Sequence, residues 1–230
     1  MSKLEIEAND NDICFCFTFY NEIELSKKLI SQLQNFYPSS NIICISDGNS
    51  NLELEKFCDH HNINYIKGER LFNLKYGGLW VKRMLLTYLE NSSSNYLIKL
   101  DPDVLIRRKF KYFPDTDLAG DITYHSNFKF IHGAPRFHKR EACKAILDSN
   151  LLESPKYILD LNFAYRPHYK TYLTPKQEYN CELFISEDKI ICDVAQQLNL
   201  KLGQWNEVYS RIPSYCPEPA KYATIHPVKY

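Results

Sequence analysis

The feature that most constrains the fold is an alternation in the first hundred residues. Short runs rich in aromatic and β-branched residues, "DICFCFTFY" (12–20), "NIICIS" (41–46), "INYIKG" (63–68) and "NYLIKL" (95–100), read as strands. Between them lie stretches with apolar residues at helical spacing: 21–37, closely followed by Pro38; 52–61; and 78–91, apolar at 79, 81, 84, 85, 88 and 89. Such alternation predicts an α/β chain with a largely parallel sheet covered on both faces by helices. Ligands of these sheets gather at the carboxyl ends of the strands.

The second half is less regular. "DLAGDITYH" and "FKFIHG" read as neighbouring strands, "KREACKAILDSN" and 186–200 as helices, "WNEVYS" and "KYATIH" as short strands, and a Tyr- and Pro-rich stretch, 154–180, stays unassigned. No repeat or long low-complexity linker divides the 230 residues, so they read as a single domain: a polar leader (1–11), a regular half (12–106) and a mixed half (107–230).

Composition removes several functions. With 28 basic and 28 acidic residues the net charge is zero, which argues against a nucleic-acid partner or a membrane-surface binder. The start, "MSKLEIEANDND", lacks a basic stretch followed by an apolar one, and the most apolar runs are too short to span a bilayer. The expectation is a soluble, cytoplasmic protein with no transmembrane segment. Eight cysteines occur without CxxC pairs, so free buried thiols are expected rather than a zinc ribbon; Cys14 and Cys16, two apart in a strand, would share a face.

Three Asp-x-Asp pairs occur among thirteen aspartates: Asp10/Asp12 in the leader, Asp115/Asp117 in an apparent surface turn, and Asp101/Asp103. Only the last ends a predicted parallel strand. Two carboxylates so close repel each other unless a cation, hydrogen-bond donors or water relieve them. Other strand ends would reach the same edge: Tyr20 and Asn21 after the first strand, Asp47-Gly48 after the second. An acid there can accept hydrogen bonds from a base or ribose, and a flat ring can stack on a base. Hard cations such as Mg²⁺ or Mn²⁺ take carboxylates together with phosphate oxygens. Singly, Asp47-Gly48 reads as a plain turn; with the other strand ends it reads as part of a binding edge.

Further candidates are weighed on their chemistry. His226 follows a short apolar strand and suits Mn²⁺ beside carboxylates, although alone it reads as a surface or capping residue. Ser186 reads as a helix N-cap, and the macrodipole accounts for Glu187 and Asp188 after it. Lys82 and Arg83 form an exposed basic face, from which Arg83 could reach a sugar or diphosphate. Gly133 would let a substrate approach closely, Arg136 could meet an anion, and Trp80 reads as core.

The ordered set "FTFYNE", "ISDGN", "GGLWVKR", "YLIKLDPDV", "IHGAPRFHKR", "SEDKIICDVA" and "IHPVK" resembles glycosyltransferases of the GT-A fold, nearest to the family 2-like enzymes, over residues 13 to about 229. The resemblance implies one GT-A domain, with 12–106 binding the nucleotide-sugar and 107–230 on the acceptor side. It implies a metal-dependent hexosyltransferase taking a nucleotide-sugar, a UDP-hexose among the expected donors, to the hydroxyl of a glycan, lipid-linked or protein acceptor. Asp101-Pro102-Asp103 matches the family's DxD motif. Asp103, with Asp101 and His226, would hold Mn²⁺ or Mg²⁺, and Tyr20, Asn21, Asp47, Arg83, Asp101, Asp103 and Gly133 would contact the donor. "HGAPRFHKR" matches a loop between donor and acceptor sites. Asp188 matches the family's base, which implies inversion. Two rivals are a sugar-nucleotide nucleotidyltransferase and a non-catalytic nucleotide- or glycan-binding module. The first would carry a Gly-rich loop where this chain reads "TFYNEIE"; the second would have lost the metal residues, which are present.

Overall fold

A computed structural model describes residues 5–48, 50–71, 76–125, 128–157, 186–210 and 221–226. The alternation expected in the first half is present: β2 (Ile13–Phe19), α1 (Ile23–Phe36), β3 (Asn41–Asp47), α2 (Leu52–His60), β4 (Asn64–Gly68), α3 (Gly77–Asn91) and β5 (Tyr96–Leu100). Local chemistry sets the boundaries. Asn51 caps α2 by accepting the Leu54 N–H at 2.9 Å. Pro38, two residues beyond α1, cannot continue a helix.

These strands pair in parallel in the order β4-β3-β2-β5. The chain moves outward from β2 to β4 and then returns to the other side of β2 as β5. The crevice between β2 and β5 is therefore a topological switch point, where α/β sheets bind ligands. Beyond β5 the sheet becomes mixed. β9 (Phe128–Lys139) runs antiparallel to β5 and to β8 (Leu118–His125), and β10 (Leu202–Gln204) adds in parallel to β8, which completes seven strands.

Period-2 alternation divides the core into two layers. Phe15, Phe17, Ile98 and Leu100 point to α1 and α2. Cys14, Cys16, Ile43, Ile45 and Leu97 point to α3, α4 (Arg140–Asp148) and α5 (Glu187–Gln197). Ile190, Ile191 and Val194 of α5 are fully buried on that face, each worth about 1.5–3 kcal/mol relative to exposure. Cys14, Cys16, Cys44, Cys58, Cys143 and Cys192 are free and buried, as expected of thiols packed like small hydrophobes. Cys181, Cys216 and the stretch 158–180 lie outside the described residues, as does most of the Tyr/Pro-rich segment.

Two sequence readings are corrected. "HGAPRFHKR" is not a loop: His132–Lys139 continues β9, and the helix begins at Arg140. The register against β8 shifts between Ala119 and Asp121, so β9 bulges where Gly133, Ala134 and Pro135 sit, and a residue without an N–H fits there. The leader is not merely polar: β1 (Glu5–Glu7) pairs antiparallel with β7 (Tyr112–Pro114). A third, three-stranded sheet joins β6 (Leu105–Ile106), β12 (Thr224–Ile225) and β11 (Val208–Tyr209). β6 directly follows the Asp101–Asp103 turn, and its antiparallel pairing with β12 returns residue 226 to that turn.

Candidate functional site

The switch-point crevice opens as a pocket of about 230 Å³ between the ends of β2, β3 and β5, with Tyr20, Asp47, Arg70, Trp80, Asp101 and Glu187 in its wall. Its two ends differ in chemistry. At the β3 end Asp47 is 5% exposed and heavily bound. Its Oδ1 accepts from Arg83 Nη2 at 2.8 Å and from the Leu71 N–H at 3.0 Å, and its Oδ2 accepts from Arg70 Nη1 at 3.0 Å. Arg70 also lies over the ring of Tyr20, 3.5 Å from its centroid, a cation–π contact at the exposed rim of the pocket. Gly48, at φ +87°, makes this possible: a Cβ there would fall 2.4 Å from Arg70 Cβ. Tyr20 and Asn21 lie on an exposed turn, with both backbone N–H groups held by Glu22 Oε2. Arg83 is not part of an exposed basic face; it is turned inward to Asp47 and to the Glu69 carbonyl.

At the β5 end Asp101, Asp103 and His226 meet. His226 Nε2 lies 3.2 Å from Asp101 Oδ2 and 3.1 Å from Asp103 Oδ1. These three groups form a candidate cation site, each able to offer one ligand atom within 4.8 Å of the others. Burial works against a charged imidazole, but hydrogen bonds from His226 to both carboxylates push its pKa up to about 9. Its Nδ1 is buried without a hydrogen-bond partner, so Nε2 and packing set the ring's orientation. Two carboxylate oxygens with an imidazole nitrogen suit a divalent cation such as Mn²⁺.

Behind this cluster lies Lys99, 2% exposed, with Nζ 2.6 Å from Asp101 Oδ1 and 2.8 Å from Glu187 Oε1. Burial opposes the ammonium, yet Asp101 and Glu187 push its pKa up to about 12. Burial likewise opposes ionisation of Asp101, but Lys99 and His226 hold that carboxyl well below the usual carboxylate range.

Asp188 opens α5 and is 9% exposed. Its Oδ2 accepts the Gly133 N–H at 3.1 Å. Ser186 stands at the N-cap, but its hydroxyl does not cap the helix; it lies beside the Asp188 side chain instead. Burial raises the Asp188 pKa, and the nearby Arg136 guanidinium, the Ser186 hydroxyl and the Gly133 N–H together bring it below the ordinary value. Arg136 is fully buried beneath the site, with its Nε donating to His138 Nε2 at 3.0 Å and with Nη1 and Nη2 unpartnered. What approaches Gly133 is His226: a Cβ there would fall 3.1 Å from Nδ1. One glycine thus separates the Asp188 carboxylate from the Asp101–Asp103–His226 cluster.

Four carboxylates, Asp101, Asp103, Glu187 and Asp188, meet two fixed cations here, Lys99 and Arg136, among the described residues. With His226 neutral, as a metal ligand must be, the balance is two negative charges, which one divalent cation would offset; protonated, His226 itself offsets one of them. The residues present therefore fit such an ion, a fit that does not depend on any likeness to other proteins.

Sequence reasoning missed the partners, not the carboxylates. Lys99 stands out only as a charge inside an apolar strand. Glu187 looks like any helix-start acid. Arg70 carries no pattern at all. Among the described residues, His60 and His132 are exposed, and His138 is buried against Arg136, with burial and that positive neighbour keeping it neutral; His168 lies outside the described residues.

No protein-family model matches the chain, and no curated protein matches it. Among solved structures, the mannosyltransferase PcManGT from Pyrobaculum calidifontis, in complex with GDP-Man and Mn²⁺, is similar at 13% identity and a TM-score of 0.46, over 62% of this chain and 48% of that one. TarS from S. aureus is similar at 13% identity and a TM-score of 0.46, over 84% of this chain and 35% of that one. The chain thus spans half or less of the length of either.

Proposed function

We propose that the chain is a metal-dependent glycosyltransferase of the GT-A type that moves a hexose from a nucleotide-sugar to an acceptor hydroxyl with inversion. The observation that carries this reading is the convergence of Asp101, Asp103 and His226 at the switch point, beside a pocket whose far wall holds Tyr20, Arg70 and Asp47. Asp101, Asp103 and His226 would hold Mn²⁺ or Mg²⁺, which supplies neutralisation of the charge that develops on a departing diphosphate. Tyr20, with Asn21 beside it, offers a flat face for a base. Arg70 and Arg83 fix Asp47 as an acceptor at the same end and place positive charge near the phosphates.

In the transfer, the acceptor oxygen forms a bond to the anomeric carbon. The bond from that carbon to the diphosphate oxygen breaks and its electron pair leaves with the diphosphate. Asp188 takes the hydroxyl proton. A base with a lowered pKa is a modest one, so Asp188 acts as the hydroxyl loses its proton to the forming bond, not by forming an alkoxide beforehand. Gly133 holds one Asp188 oxygen and orients the carboxylate toward the cluster. The acceptor is a glycan, a lipid-linked sugar or a protein. No helix among the described residues is long and apolar enough to cross a membrane; the cytoplasm is the compartment proposed for the transfer.

The test is incubation with a panel of nucleotide-sugars, with Mn²⁺ or with EDTA, following diphosphate release. Release from one donor that stops with EDTA is the expected result. Absence of both turnover and Mn²⁺-dependent nucleotide binding would sink the reading.

A further inference from the structure

Lys99 occupies a costly place. It sits in β5, between β2 and β9, on the layer that faces α3 and α5, directly opposite Arg136 in the ladder. Burying an ammonium is costly even when it is paired, and apolar side chains of similar size often serve stability as well or better. Its position shows what it does for the site. The two oxygens of Asp101 are divided: Oδ1 is held by Lys99 at 2.6 Å, and Oδ2 faces His226 Nε2 at 3.2 Å. With Oδ1 engaged, Asp101 presents one oxygen, in one orientation, to the cluster. The same ammonium holds Glu187 Oε1 at 2.8 Å, and Glu187 immediately precedes Asp188 at the start of α5. A single charged group therefore touches both the strand end that carries the cation ligands and the helix end that carries the acid beside them.

We propose that Lys99 is a positioning residue: it ties the end of β5 to the amino end of α5 and so sets both the one-oxygen presentation of Asp101 and the distance from that oxygen to Asp188. The proposal rests on the roles assigned above to Asp101 and Asp188. A purely structural ion pair would behave differently, because its loss would be repaired by apolar packing.

The experiment uses the whole chain, with Mn²⁺ binding read from the electron paramagnetic resonance of free Mn²⁺ and folding read from thermal melts. The double variant Lys99→Met/Glu187→Leu is expected to melt near the wild type and to bind Mn²⁺ about tenfold or more weakly, the loss typical of removing a ligand's supporting partner. Glu187→Gln, which keeps the Lys99–Asp101 contact and the shape of the side chain, is expected to keep its Mn²⁺ affinity while kcat falls with little change in KM. A double variant that binds Mn²⁺ as tightly as the wild type overturns the Asp101 half of the proposal. A Glu187→Gln protein with wild-type kcat overturns the α5 half and remains decisive if the double variant does not fold. A wild-type protein that binds no Mn²⁺ overturns the cation reading itself and the Asp101 half with it, whereas wild-type binding with indifferent variants overturns Lys99 alone.

Discussion

Asp47 and Asp101 end two strands that flank the same central strand, β2, yet their charges are handled in opposite ways. Asp47 has both oxygens taken by two arginines and a backbone N–H. Arginine does not release its proton, so this neutralisation is permanent. Asp101 and its neighbour Asp103 are met by one lysine and one histidine, and histidine can give up its proton. The first carboxylate is closed to a cation and forms part of the pocket wall. The second pair is balanced conditionally and can exchange a proton for a cation. An acid at a strand end says little by itself; what neutralises it separates scaffold from exchangeable site.

The strongest way to break this contrast is Asp103→Ala. It is expected to abolish Mn²⁺ binding, a loss of roughly 100-fold or more by calorimetric titration, with unchanged circular dichroism. Retained binding would mean the cluster is no more exchangeable than Asp47. Next in size is Asp188→Asn, expected to lower transfer by about 10²–10⁴-fold while nucleotide binding persists; equal activity would remove Asp188 from the chemistry. Asp47→Asn attacks the closed end. It leaves two partly buried arginines short of a partner and is expected to cost about 2–3 kcal/mol in urea unfolding while sparing Mn²⁺ affinity.

Gly133→Ala tests the joint between Asp188 and His226. Its φ of +61° and the 3.1 Å approach to Nδ1 predict a loss of about 1–2 kcal/mol, together with weaker Mn²⁺ binding as the imidazole is displaced. The smallest effect concerns acid. Asp188 has a folded pKa below its unfolded value of about 3.9, so it contributes stability above that pH and loses it as pH falls through the folded value. Asp188→Asn is expected to lower stability at pH 7, where the ionised carboxylate contributes, and to flatten the curve below about pH 4, so that variant and wild type converge in acid. A variant as stable as the wild type at pH 7 would contradict the ionised, hydrogen-bonded carboxylate described here.

Much of the frame was legible because its signals are local. The strands at 13–19, 41–47 and 96–100 follow from β-branched and aromatic runs, and their carboxyl ends place Tyr20, Asp47 and Asp101 on one edge. The meeting of Asp103 with His226 needed the order of motifs along the whole chain, since no local rule joins residues so far apart. What stayed hidden depends on tertiary pairing. Lys99 becomes informative only once Glu187 arrives from α5, and Arg70 only once Gly48 lets it close on Asp47. β9 was broken in the reading because the family resemblance placed "HGAPRFHKR" in a loop, whereas a register shift absorbs its glycine and proline inside the strand.

The pairing of β6 with β12 sets an order of events during folding. Leu105 meets Ile225 and Ile106 meets Thr224, and this two-residue ladder carries His226 to the Asp101–Asp103 turn. The parallel strands β2 to β5 can associate through much shorter loops, while this contact must close a loop of more than a hundred residues and pay its entropy before any reward. The pocket wall at Asp47 is therefore expected to be in place early, and the cation cluster to be completed late. A cation binding only the completed cluster would then draw the last step forward by mass action, making the ion a partner in folding as well as in chemistry.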